Sequence, residues 1–202
     1  MRIAVFGARG RTGRLLVDEG LARGHELAAL TRSPWPDRAG EVRLTIGDAR
    51  DTEAVATTLD GAEAVISVMA IVEGTEPTTS LSEATRTIAE VMPRAGVHRI
   101  VVTTNTSVFH DREVADPFVI VATEHRRNVA MLRSGGLAWT VLAPGMLTDE
   151  VPGGVATALD APAPGRRLSR GALARLTLEA LERDDWIGHV IGVADAPADA
   201  GG

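Results

Sequence analysis

Residues 7 to 13, Gly-Ala-Arg-Gly-Arg-Thr-Gly, constrain the fold of this chain more than any other stretch. They follow an apolar run, Ile3 to Phe6, and open a segment in which Leu15, Leu16, Val17, Leu21 and Ala22 recur at helical spacing. Gly24 is a natural helix stop, and a second apolar run, Leu27 to Leu30, comes after it. The order is strand, glycine turn, helix, strand: one βαβ unit. A glycine directly after a strand accepts a tight turn with positive φ. A second leaves room for a phosphate beside the backbone, and a third lets the helix approach the sheet. Gly7, Gly10 and Gly13 would thereby turn the helix N-terminus into a diphosphate site. The spacing is GxxGxxG rather than GxGxxG, so its specificity comes from its place between strand and helix. The alternative is a glycine-rich connection that holds no ligand.

Further along, Val42 to Ile46 reads as a third strand, and Asp51 or Thr52 caps a short helix carrying Val55 and Leu59, ended by Gly61. Ala64 to Ala70 is an apolar strand of the kind a sheet covered on both faces requires. A polar loop with Gly74 and Pro77 leads to Thr79 or Ser80, cap of a helix with Leu81, Ala84, Ile88, Val91, Met92 and Ala95 on one face, ended by Gly96. Arg99 to Thr104 is a fifth strand. A long connection, Asn105 to Pro117, precedes a helix from about Phe118 to Arg133, and Leu137 to Leu142 is a sixth strand broken by Pro144-Gly145. Residues 148–168, rich in Gly, Pro, Asp and Ala, are expected to form an irregular excursion. Ser169 caps a last helix, Gly188 to Val193 is a short final strand, and residues 195–202 read as a flexible tail.

Strands alternate with helices throughout, which predicts an α/β fold: a doubly wound parallel sheet with right-handed crossovers, one domain over residues 1–202. Ligands of such sheets bind beyond the carboxyl ends of the strands, next to strand one.

Composition narrows the chemistry. The net charge of −6 and pI near 5.4 argue against nucleic acid as a partner. All 21 basic residues are arginine, so no lysine can form a Schiff base, and without tyrosine no phenol can act as acid or base. Cysteine is absent, which excludes disulfides, thiolate nucleophiles and zinc–sulfur sites. No apolar run approaches a membrane span, and with the first strand starting at residue 2 a cytoplasmic location is the expectation.

Several positions fall at the strand ends. Arg32 lies where the adenosine ribose of a dinucleotide would rest. Thr31-Arg32-Ser33 contains no carboxylate for a 2′-hydroxyl, and an arginine fork suits a 2′-phosphate, so NADP(H) is expected over NAD(H). Arg9 and Arg11 either assist that phosphate or face water. Asp48, beside Ala49, either accepts from the adenine amino group or bonds its own turn. Thr12 can donate to the diphosphate, and the Ser67 to Ala70 run, with Met69, should pass under the cofactor's centre. Thr103, Thr104, Asn105, Thr106 and Ser107 form the most polar strand end, either holding the nicotinamide or satisfying a long loop. Thr104 and His125, the latter on the helix that follows, are the candidate catalytic side chains. No pair of the five histidines has metal-ligand spacing, and no metal is expected.

The glycine motif, Thr31-Arg32-Ser33, Gly47-Asp48, Pro77 to Glu83, His125 to Gly145 and Ser169-Arg-Gly-Ala-Leu-Ala together resemble the NAD(P)H-binding, atypical short-chain dehydrogenases. The likeness is nearest to the NADPH-dependent flavin reductase, or biliverdin-IXβ reductase, type and covers nearly the whole chain. It implies a Rossmann fold, NADPH across the strand ends, and a flavin, quinone or tetrapyrrole-like acceptor over the nicotinamide, in a monomer or homodimer. The usual Tyr–Lys pair cannot occur here. The resemblance maps cofactor contacts onto the glycine motif, Arg32, Asp48, Thr103 to Asn105 and the Pro144, Gly145, Met146 loop, and a family histidine onto His125. At Gly145 the chain departs from the family, which commonly has another histidine there. A reductase passing hydride to a planar conjugated acceptor is the function expected, with a non-catalytic NADP(H) sensor, similar to the NmrA-like regulators, as the alternative.

Overall fold

A computed structural model describes residues 1–71, 78–110, 119–151 and 153–196. Its centre is β1 (Arg2–Phe6), hydrogen-bonded in parallel to β2 (Glu26–Thr31) on one side and β4 (Ala64–Ser67) on the other, with Val5 in register with Ala29 and Ile66. β3 (Val42–Ile46), β5 (Arg99–Thr103), β6 (Ala138–Pro144), β8 (Val155–Leu159) and β10 (His189–Asp195) complete an eight-stranded sheet in the order β3-β2-β1-β4-β5-β6-β10-β8. Every pairing is parallel except β10 with β8. The order reverses between β1 and β4, and this is the switch point at which a doubly wound sheet opens a crevice. The described residues form one Rossmann-like unit, as the alternation predicted.

Helices cover both faces. Ile3 and Val5 of β1 pack in one apolar layer with Leu16 and Val17 of α1 (Arg11–Ala22) and Leu173 and Leu176 of α5 (Arg170–Glu179). Ala4 and Phe6 belong to the opposite layer, with Val55 and Leu59 of α2 (Thr52–Leu59), Ile88 of α3 (Ser80–Val91) and Leu132 of α4 (Val119–Ser134). The period-two alternation of β1 thus feeds two cores at once, so an uninterrupted apolar run is what this strand needs. Asp51 caps α2, accepting from the backbone N–H groups of Glu53 and Ala54, and Ser169 caps α5, accepting from Ala172. Pro93 tightens the end of α3 into a 3-10 turn, Met92–Ala95, before Gly96.

Three expectations are corrected. Residues 148–168 are not irregular throughout: β7 (Met146–Thr148) and β9 (Arg167–Ser169) pair in parallel, and β8 forms an antiparallel edge on β10. The turn after β8 is made by Asp160, whose φ of 51° a short polar side chain tolerates and whose carboxylate accepts from the Val190 N–H at 3.0 Å. Pro144 does not break β6 but ends it, in register with Val193, where a missing N–H removes no interior ladder bond. The last strand runs on to Asp195, whose carboxylate accepts from Ser169 N–H at 3.2 Å, so the tail does not begin at 195; residues 197–202 lie outside the described residues. Gly74, Pro77 and the 111–118 part of the long connection lie outside them as well.

Candidate functional site

The glycine turn is built by close approach. Gly7 has φ +87°, and a Cβ there would lie 2.8 Å from Met69 N and from the Val68 carbonyl. A Cβ on Gly13 would overlap the Gly7 carbonyl and lie 2.7 Å from Ala8 C, so this glycine lets α1 sit directly on the turn. Gly10 is the N-cap of α1 and supplies no side-chain cap, and no acidic residue stands in the first turn. The first N–H groups of the helix, on Arg11, Thr12 and Gly13, therefore face outward without a side-chain acceptor at the positive end of the helix dipole.

These groups open into a cavity of about 760 Å³ at the carboxyl ends of β1, β2, β3 and β4. Its lining comprises Gly7 to Thr12, Leu30 to Ser33, Asp48 to Arg50 and Val68 to Ile71, with Ser80, Leu81, Ala84 and Leu147. Arg9, Arg11, Arg14, Arg32, Arg50 and Arg170 line it, against the carboxylate of Asp48 alone among the described residues. In a chain of net charge −6, this concentration of guanidinium groups in one crevice is an electrostatic funnel for a polyanion.

The part of the lining around Ser33 and Asp48 is preassembled. Arg9 donates from Nη1 to the Ser33 carbonyl at 3.1 Å and also to Ser33 Oγ, and the Thr31 hydroxyl donates to the same carbonyl at 2.8 Å. Arg14 is held by the Arg9 carbonyl at 3.2 Å and by the ring of Trp35, whose centroid lies 5.2 Å from its guanidinium carbon. Arg50 takes both oxygens of Asp48, and its hydrogen bonds hold that carboxyl at a pKa of about 2. Asp48 also accepts from Arg50 N–H at 2.9 Å, so the turn reading of this residue is the one the geometry favours over a free acceptor for adenine.

Of the positions singled out from sequence, Gly7, Arg9, Gly10, Arg11, Thr12, Arg32, Asp48, Ala49 and Met69 line the cavity, and Gly13 packs beneath it. Thr103, Thr104, Pro144, Gly145, Met146 and His125 do not. Thr104 is buried, and its N–H donates to the Leu142 carbonyl at 2.8 Å. Asn105 Oδ1 accepts from Ser107 N–H at 2.9 Å, which is the loop-satisfying role. Gly145 is required by packing: a Cβ there would press into the Arg166 carbonyl, whose oxygen accepts from Met146 N–H at 2.9 Å. A histidine at this position, as in the family it resembles, would collide with that backbone.

His125, the other catalytic candidate, is buried and does not line the cavity. It lies on α4, 4% exposed, and burial lowers its pKa to about 4 despite the opposing charge of neighbouring Glu124. Its Nδ1, Thr85 Oγ1 and Asn128 Oδ1 are buried without a partner among the described residues. Glu124 is fully buried and accepts from Ser82 N–H and Oγ at 2.9 and 3.0 Å and from Arg127 at 2.8 Å. It braces the first turn of α3, which forms the Ser80 to Ala84 wall.

Sequence reasoning missed Arg14, Arg50, Leu147 and Arg170. The first two sit within a few residues of Gly10 and Asp48, where an arginine was a usable local signal. Leu147 and Arg170 arrive through the β7–β9 pairing and carry no local signal. Among the described residues no helix is long and apolar enough to cross a membrane, and no group of three or more His, Asp or Glu could hold a metal.

Comparison with known proteins agrees with this geometry. A family model described as NAD(P)H-binding matches residues 7–184. An uncharacterized protein of Mycobacterium tuberculosis is 34% identical over 108 residues, 52% of this chain but 12% of that protein. The 4-hydroxy-tetrahydrodipicolinate reductase of Natronomonas pharaonis is 33% identical over 106 residues, 52% of this chain and 35% of the reductase. The match thus spans well under half of these relatives' length. Among solved structures, the anaerobilin reductase ChuY of Escherichia coli O157:H7 superposes with a TM-score of 0.85 at 20% identity, covering 100% of each chain. The oxidoreductase ylbE of Lactococcus lactis gives 0.82 at 20% identity, covering 97% of this chain and 91% of that one. A candidate NADH-flavin reductase of Streptococcus pneumoniae gives 0.82 at 20% identity, covering 97% and 100%. At such identities these structures speak for the fold, and the family model for the ligand class: the chain belongs to the NAD(P)H-binding family.

Proposed function

We propose that this chain is an NADPH-dependent reductase that delivers hydride to a flavin or a similar planar conjugated acceptor. The observation that carries the reading is the joining, in one crevice, of an uncapped helix N-terminus with six arginines. A diphosphate would accept from the N–H groups of Arg11, Thr12 and Gly13, close to a backbone that Gly7 keeps free of side chain. Arg32, with Arg9 and Ser33 linked beside it, would take a 2′-phosphate, and this is the basis for NADPH over NADH. The lining also includes the apolar side chains of Met69, Ile71, Leu81 and Leu147, which suit a flat ring system with little hydration.

When bound, NADPH supplies the hydride, and solvent supplies the proton that completes reduction of the acceptor. The protein's part is to hold the two rings in contact and keep water from part of the crevice. The cavity offers no histidine, and the chain has no tyrosine or lysine, so the chemistry proposed is one in which positioning replaces a side-chain acid. The partner is a small molecule, and the location proposed is the cytoplasm.

NADPH oxidation followed at 340 nm with FMN, FAD and a quinone as acceptors tests this reading. Turnover with at least one of them is expected, faster with NADPH than with NADH. Tight NADPH binding with no turnover on any acceptor would favour the sensor instead.

A further inference from the structure

The carboxylate of Asp149 joins two cavity arginines that come from distant parts of the chain. Arg11, the first residue of α1, donates to its Oδ2, and Arg170, the first residue of α5, donates to its Oδ1 at 2.8 Å. Both arginines line the cavity, whereas Asp149 stands outside it with its side chain 60% exposed. Arg170 is the more enclosed of the two, with 14% of its side chain exposed, so its guanidinium has little freedom to look elsewhere for an anion. An oxyanion shared between these two groups is therefore already part of the fold. A diphosphate lying along the first turn of α1 would present oxyanions to the same donors.

We infer that Asp149 is an internal competitor for the ligand's diphosphate at Arg11 and Arg170, and that it lowers affinity so that the dinucleotide leaves quickly. The inference rests on the dinucleotide reading given above. An exposed carboxylate holds an arginine weakly, so a ligand carrying more negative charge and also satisfying the helix N–H groups can displace it. Affinity falls by the factor with which the carboxylate stabilises the arginines in the free protein. Where product release limits turnover, such a device raises throughput at the expense of occupancy.

Calorimetric titration of the full chain with NADPH tests this, comparing wild type with Asp149→Asn and Glu150→Gln. Glu150 pairs at 3.5 Å with Arg167, which does not line the cavity, so its variant removes a neighbouring charge without freeing a site arginine. Asp149→Asn is expected to bind NADPH roughly two- to fivefold tighter, the scale of one or two exposed ion pairs, with Glu150→Gln unchanged. In an Arg11→Gln background the gain should shrink. Asp149→Ser repeats the comparison with a shorter side chain should the asparagine variant fold poorly. Wild-type binding with no gain in the Asp149 variants overturns the competition alone, as does an equal gain from Glu150→Gln, which would mark a general charge effect. No heat with NADPH from wild type or any variant overturns the dinucleotide reading itself.

Discussion

Arg50 grips Asp48 through both carboxylate oxygens, Nε on Oδ1 and Nη2 on Oδ2, each at 2.9 Å. The pair stands in the lining of the cavity, and it decides two things: Asp48 is committed to its own turn, and Arg50 is fixed where it can face a ligand.

A first expectation is a pH effect. The Asp48 carboxyl has its pKa lowered to about 2, so its contribution to stability is whole above the ordinary carboxylate range and is lost as pH falls toward 2. With 44% of its side chain exposed the effect is small. Asp48→Asn should flatten the melting-temperature profile at its acid end and weaken NADPH only slightly. A large loss of NADPH affinity would restore Asp48 as a direct adenine contact.

His125 works through the same linkage and in the same direction. Its folded pKa, about 4, lies below the ordinary value of 6.5, so the unfolded chain binds the proton more readily. Stability is then complete above about pH 6.5 and declines as pH falls toward 4, by an amount on the order of 3 kcal/mol. Denaturant titrations from pH 7 to 4 should show a gentler decline in His125→Gln than in wild type. Parallel profiles would mean that the imidazole is not buried neutral.

Gly145→Ala should destabilise by roughly 1–3 kcal/mol through overpacking, since the new Cβ would stand 2.9 Å from the Arg166 carbonyl carbon. Urea unfolding gives the number. A neutral result would show that β7 and β9 can separate freely, and would reopen this position to a functional side chain.

Arg99 is half-buried against the 3-10 turn Ala180–Glu182 that follows α5, and donates to the carbonyls of Ala180, Leu181 and Ala138 and to Thr140 Oγ1. Arg99→Met keeps the bulk but strands these acceptors. The expected loss is about 2–4 kcal/mol at neutral pH. A change under about 0.5 kcal/mol would show that water replaces the guanidinium.

What could be read from the residues was local. The glycine turn, the capping by Asp51 and Ser169 and the alternation of strand and helix depend on neighbours a few positions apart, and the structure follows them. Thr103, Thr104 and His125 were harder. Their place at a strand end and on the following helix is as expected, but the threonines are turned inward by the β5–β6 pairing, and which way His125 faces depends on how α4 packs, which the charged residues around its apolar positions do not reveal. Arg170 and Leu147 were out of reach for another reason: they join the cavity only once β7 and β9 pair across the intervening β8. Gly145 carried a misleading signal, because a glycine imposed by the neighbouring Arg166 backbone looks the same in sequence as a lost functional histidine.

The most direct test of the account is a calorimetric titration of the wild-type chain and Arg32→Ala with NADPH and NADH. Saturable heat with both coenzymes is predicted for wild type. Arg32→Ala should weaken NADPH by roughly 1.5–3 kcal/mol, the scale of a hydrogen bond to a charged group, and leave NADH little changed. Equal weakening of both would contradict the 2′-phosphate assignment, and no heat with either coenzyme at millimolar concentration would contradict the proposed site as a whole.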